Sequence, residues 1–188
     1  MKKLLPASLI CALAFPAWSA EEPWLAEARK VASAVPPKLV SVLTAEIERS
    51  GPAGAIDVCR EEAPKLARSA SQETGWSIRR VSLRERNPKA VPDDWERATL
   101  EDFDRRALAG EKPATFERAE VVQQEGRAVM RYMRALPVVE MCTACHGTPE
   151  RIGPDVRGRL AELYPRDRAT GYVVGQIRGA MTISKPLP

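Results

Sequence analysis

Apolar and polar positions recur with two different periods along this chain, and the change of period divides it. In "EPWLAEARKVASAVPPKLVSVLTAEIERSG" apolar residues return every three or four positions, which predicts a helix. Pro36-Pro37 is expected to break or kink it, and Gly51-Pro52 to stop it. "AGAIDVCREEAPKLARSASQETG" predicts a second helix ending at Gly75. Its Ile56, Cys59, Ala63, Leu66 and Ala70 step by three and four into one apolar stripe, so Cys59 should face inward. Pro64, inside that run, should kink or split the helix. "WSIRRVSLR" predicts a strand and "RNPKAVPDD" a turn-rich loop. "DDWERATLEDFDRRALAG" predicts a third helix, capped by Asp93 or Asp94, with Gly110 just past its end.

Beyond that point the period falls to two. "ATFERAEVV", "GRAVMRYMRALPVV" and "GQIRGAMTISKPL" predict strands, the first two joined by a hairpin turn at "QQEG". The last alternates most cleanly, with Ile177, Met181 and Ile183 against Arg178, Thr182 and Ser184. The middle one is ambiguous, because Val129, Met133 and Leu136 also suit a helix face. Helices first and most strands later point to an α+β fold with an antiparallel sheet. No repeat or long linker divides it, so one domain over residues 21–188 is expected.

The first twenty residues, "MKKLLPASLICALAFPAWSA", follow a different rule. Two lysines, a short apolar stretch and small residues near Ala17, Ser19 and Ala20 read as a cleavable signal peptide. The apolar stretch is too short to span a bilayer. Cleavage would discard Cys11 and leave a soluble, exported protein, in the periplasm, with no membrane span. Removing residues 1–20 with their two lysines lowers the net charge from +4 to +2. The remaining basic residues are interleaved with acids, unlike the concentrated patch of a nucleic-acid binder, and no nucleic-acid role is expected.

Three cysteines then remain, Cys59, Cys142 and Cys145, with one histidine, His146, in "VVEMCTACHGTPE". An odd count in an oxidising compartment leaves one thiol over. Cys142-Thr143-Ala144-Cys145-His146 has the Cys-x-x-Cys-His spacing of haem c attachment: two thiols reach the two vinyl groups and the adjacent imidazole ligates iron. A thioredoxin-type dithiol would open a helix early in its domain, yet Gly147, Pro149, Gly153 and Pro154 interrupt one here and only 43 residues follow Cys145. A structural zinc site needs four ligands, and only Cys59 is available to complete the set. One covalent haem c is therefore expected, with Cys142 and Cys145 as thioethers and His146 as proximal axial ligand.

For the opposite face of the iron the candidates are Cys59, Met130, Met133, Met141, Met181, a lysine or water. Met181 is the strongest methionine, and Cys59 is an equal competitor, since a lone cysteine on an apolar stripe is often plain core. Arginine forks suit propionates. Arg79, Arg80, Arg84 and Arg86 surround the first strand, and Arg86 is the preferred contact; Tyr172 is a candidate to pack on the haem.

"AIDVCREEAPKLA", "IRRVSLRERNPKAVPDDWE", "CTACHG" and "YPRDRATGYVVGQIRGAMTISKPL", in that order, resemble a bacterial haem-c family long catalogued as a domain of unknown function. Its cyanobacterial members include a His/Cys-ligated cytochrome of PAS-like fold. The resemblance spans most of the chain beyond residue 20 and implies a PAS-like arrangement of N-terminal helices on an antiparallel sheet. It implies Cys59 as distal thiolate, Cys142 and Cys145 as thioethers and His146 as proximal ligand. The family's loop usually reads Arg-Asn-Pro-x-Asn, whereas this chain has Ala90 in the last place. Members act as stand-alone cytochromes or as sensor domains. The expectation is thus a low-potential electron carrier or redox or gas sensor, with a redox or signalling partner in trans. A haem enzyme is the alternative. It needs an acid–base group on an open distal face, commonly a second histidine, which this chain lacks.

Overall fold

The period changes where the chain passes from helix to sheet. In a computed structural model, which describes residues 21–187, the first element is helix α1, Pro23–Gly54. The segment read as a signal peptide lies outside the described residues. The break expected at Pro36-Pro37 is absent: both prolines keep helical dihedrals, and the non-helical residue inside α1 is Gly51 (φ 70°, ψ 174°). Two lost amide donors are offset by Ala28, Val31, Ala32 and Val35, whose common face is buried in the main core.

Pro64 acts one turn ahead of itself. Its ring excludes the carbonyl four residues back, so the helix widens into a π-turn, Val58–Glu62, in which the Ala63 amide donates to the Val58 carbonyl. Cys59 sits on this turn. Helix α2, Ala63–Thr74, then starts with proline where no donor is needed and ends at Gly75 in the left-handed region (φ 73°).

Four strands follow: β1 Ser77–Val81, β2 Glu117–Gln124, β3 Arg127–Pro137 and β4 Ile177–Pro186. They form one sheet in the order β1-β4-β3-β2, every neighbouring pair antiparallel. β2 and β3 join through Glu125 and Gly126, both at positive φ (51° and 77°), as a two-residue hairpin turn requires. β3 is strand throughout, which resolves its ambiguous pattern. The fold is α+β, with the N-terminal helices packed on an antiparallel sheet.

Each face of the sheet carries a core. On one side α1 and α2 cover Trp76, Ile78, Met130, Tyr132, Met181 and Ile183. On the other, helix α3, Asp94–Leu108, covers Val81, Met133, Ala135, Ile177 and Ala180 with Leu100 and Phe103. Asp93 caps α3 in a reciprocal capping box with Glu96. Two short helices follow β3: α4, Thr143–His146, and α5, Pro154–Leu163. Val156 and Leu160 of α5 pack with Ile152 on Ile56, a third cluster apart from the sheet. No helix among the described residues is long and apolar enough to cross a membrane.

Candidate functional site

The segment from β3 to α4 is pinned at its start, where the Val138 amide donates to the Gln176 carbonyl (2.8 Å) and the Gly175 amide to the Val138 carbonyl (2.9 Å). A 3-10 turn, Glu140–Cys142, runs into the single turn of α4. That turn places Cys142 and Cys145 three residues apart on neighbouring helical positions. Both thiols are free and half-buried, as is that of Cys59. Cys142 packs beside Val138, Ala169 and Tyr172, and Cys145 against the Ile56–Leu160 cluster. Gly147 closes the turn where a side chain would collide: a Cβ there would lie 2.4 Å from the Thr143 carbonyl oxygen.

Residues 167–172 run alongside this segment and hold it. The His146 Nδ1 lies 2.7 Å from the Ala169 carbonyl, so Nδ1–H donates and Nε2 keeps its lone pair. The Tyr172 amide donates to the His146 carbonyl (2.9 Å), and the Gly171 amide to that of Gly147 (2.6 Å). Burial, with the charges of Arg178 and Arg86, holds the imidazole well below its usual range, in the neutral form that binds metals. The Arg178 guanidinium lies against the ring, its Nε 3.2 Å from Nδ1 and 3.5 Å from Nε2.

Arg86, the expected propionate contact, is buried beside the attachment-motif segment. Its Nε donates to Asp167 Oδ2 (3.0 Å) and its Nη2 to the Cys145 carbonyl (2.6 Å). Of the other arginines considered, Arg79 turns to the opposite face of the sheet and pairs with Glu96, and Arg84 bonds the Thr170 carbonyl and covers the Tyr172 ring. Arg80 and Arg178 have no carboxylate within ion-pair distance among the described residues. Arg178 donates instead to Ser82 Oγ and the Arg84 carbonyl.

Cys59 faces the same region from the π-turn. Burial pushes its thiol up, opposed by the charges of Arg80, Arg86 and Arg178. Burial also pushes Cys145 up, to about 11, with the other two cysteines adding to the effect. The structure thus brings Cys59, Cys142, Cys145 and His146 to one region under three arginines. Among the described residues no three His, Cys, Asp or Glu side chains come close enough to hold a metal ion between them. Met130 and Met181 are packed into the α1–α2 core, and Met133 into the α3 core.

Arg178, Asp167 and the Ala169 carbonyl are the site residues that sequence reading misses. Arg178 read only as one polar position among Thr182 and Ser184 on the alternating last strand.

A family model described as Tll0287-like (Tll0287) matches residues 19–186. Among solved structures, one described as the crystal structure of the cyanobacterial heme-protein Tll0287 superposes with a TM-score of 0.67 at 24% identity, covering 90% of this chain and 98% of that one. At that identity the likeness is one of fold. No curated protein matches this chain.

Proposed function

The chain belongs to the Tll0287-like family, and on that premise we propose that it is a periplasmic redox protein carrying one covalent haem c, active in electron transfer or in redox or gas sensing rather than in catalysis. Cys142 and Cys145 would carry the thioethers, His146 the proximal bond and Cys59 the distal one. The single observation behind this reading is the His146 ring, held by Nδ1–H to the Ala169 carbonyl with a neutral Nε2, one residue beyond a free Cys-x-x-Cys pair.

The surroundings suit this group. Among the described residues no three of the His, Cys, Asp or Glu side chains could hold one small ion between them, whereas a haem would be held by thioethers at Cys142 and Cys145 and by His146 and Cys59. Arg80 and Arg178 bring two positive charges without carboxylates, and a haem brings two propionates. Bound haem supplies a one-electron ferric–ferrous couple, and a thiolate ligand favours the ferric side and a low potential. Burial pushes the Cys59 thiol up, and the charge of a bound ferric iron would favour its thiolate form.

The test is expression with haem-c maturation machinery, wild type beside Cys59→Ser. The proposal expects haem stain retained on a denaturing gel for both, and a low-spin ferric EPR signal of thiolate type in the wild type alone. Identical spectra would return Cys59 to the core. Absence of covalent haem would sink the reading as a whole.

A further inference from the structure

Arg178 carries a guanidinium edge that no acceptor among the described residues occupies. Its Nη1 donates to Ser82 Oγ (2.9 Å) and to the Arg84 carbonyl (3.3 Å), both neutral. Its Nε lies 3.2 Å from His146 Nδ1 and 3.5 Å from Nε2. Distances so nearly equal place Nε over the ring, out of line with either nitrogen's lone pair, and Nδ1–H is already given to Ala169. Nη2 has no acceptor among the described residues. No buried side-chain nitrogen or oxygen among them lacks a partner, so Nη2 opens onto accessible space.

The titratable groups acting on Arg178 are Arg80, Tyr172, Arg86 and Asp167. Burial first, and then the charge of Arg80, works against the guanidinium's own charge. Asp167 offsets little of this, because both its oxygens are taken: Oδ2 accepts from Arg86 (3.0 Å) and Oδ1 from the Ala169 amide (2.8 Å). Cys59, the other acid that feels Arg178, is a thiol that burial pushes toward its neutral form. Arg84 turns to the Arg168 and Thr170 carbonyls and the Tyr172 ring. The edge is therefore a desolvated cation short of an anion, and its two parallel N–H groups match the two oxygens of a carboxylate. His146 says which carboxylate. Its Nε2, the nitrogen left free for iron, is 3.5 Å from the same Arg178 Nε, so a group bound by His146 lies against this edge.

We infer that the Nε–Nη2 edge of Arg178 takes a haem propionate, so that the folded chain holds haem through this contact and His146 without either thioether. The inference rests on the haem reading above and names the side chain that recognises the macrocycle before it is attached. Ser82 and the Arg84 carbonyl already fix the guanidinium in the haem-free chain. A fork fixed in advance gives up little freedom when its ligand arrives.

The test uses the haem-free chain from residue 21 onward, with Cys142→Ala and Cys145→Ala so that no thioether can form. Its folding is checked by circular dichroism. The Soret band is followed on titration with ferric haem or with haem dimethyl ester, both in the same mild detergent. Haem should bind, and the ester, whose carboxylates are blocked, should bind about tenfold more weakly. Arg178→Gln should weaken haem by a similar factor and leave the ester unchanged. Arg127→Gln, the same charge loss at the exposed start of β3, should alter neither. Equal weakening of haem and ester by Arg178→Gln would make the arginine a support for the His146 ring and overturn the inference. So would haem and ester bound alike by the parent chain, a comparison that holds even if Arg178→Gln fails to fold. A haem-free chain that ignores ferric haem, beside a matured protein that carries covalent haem, sinks only this inference. A matured protein without covalent haem sinks the function proposal with it.

Discussion

Replacing Arg86 by Ala isolates the brace behind the Cys-x-x-Cys segment. Arg86 and Asp167 are 8% and 11% exposed, and their ion pair is the most deeply buried one holding the segment at residues 142–146. Removing the guanidinium leaves the Asp167 carboxylate with only the Ala169 amide (2.8 Å) and takes a charged donor from the Cys145 carbonyl. Breaking a buried pair from one side costs about 3–5 kcal/mol. A chain of this size loses about 2–4 °C per kcal/mol, so Tm should fall by about 6–20 °C. Asp167→Ala should also destabilise, leaving Arg86 charged and buried. The double variant strands neither charge, so its cost should fall short of the sum of the singles by about 1.5 kcal/mol or more. Urea unfolding followed by far-UV circular dichroism on all four proteins, without haem, completes the cycle. Single costs under about 1 kcal/mol, or additivity within about 0.5 kcal/mol, would refute the brace.

Gly179→Ala should destabilise by more than about 2 kcal/mol, because its Cβ would lie 2.2 Å from the Val81 carbonyl oxygen at a backbone φ of 156°; hydrogen exchange should show the β1–β4 pairing loosened. Glu117 is held below the usual carboxylate range first by its hydrogen bonds from Arg29 and then by that from Tyr132. A lowered folded pKa gives stability that is present above the unfolded value of 4.5 and lost as pH falls through the folded one. The difference in unfolding free energy from urea titrations between wild type and Glu117→Gln, about 1 kcal/mol at pH 7 for so exposed a pair, should therefore shrink to nothing in acid. Pro64→Ala restores an amide donor and should let the π-turn relax to α-helix. Loaded protein should then lose the thiolate EPR signal without losing thermal stability, as a calorimetric scan will show.

The helices and strands were legible wherever a cap or a turn residue fixed an end: Asp93, Gly75, and the Glu125–Gly126 hairpin all act where the sequence places them. Helix α5 carried Pro154 at its start and Val156 and Leu160 four apart, but ten residues among glycines and prolines give a weak period. The stripe through Ile56, Cys59 and Leu66 was misleading. The periodic pattern assumes 3.6 residues per turn, and a π-turn adds rotation that no apolar count registers. Ile56 and Leu66 consequently enter different clusters. The Cys-x-x-Cys-His spacing was legible because it is contiguous. Arg178 was not, because its meaning comes from pairing: the register shift between Leu136 and Pro137 lies where β4 begins, and the guanidinium meets a ring 32 positions earlier.

The π-turn also divides the labour of the interior. Trp76, Tyr132 and Met181 belong to a body built from α1, α2 and the sheet, while Ile152, Val156 and Leu160 are clasped to Ile56 alone of the buried residues before the turn. Cys59 lies at the hinge between them and Cys145 on the clasp itself. One widened helical turn thus sets the boundary between the two packed bodies of the interior.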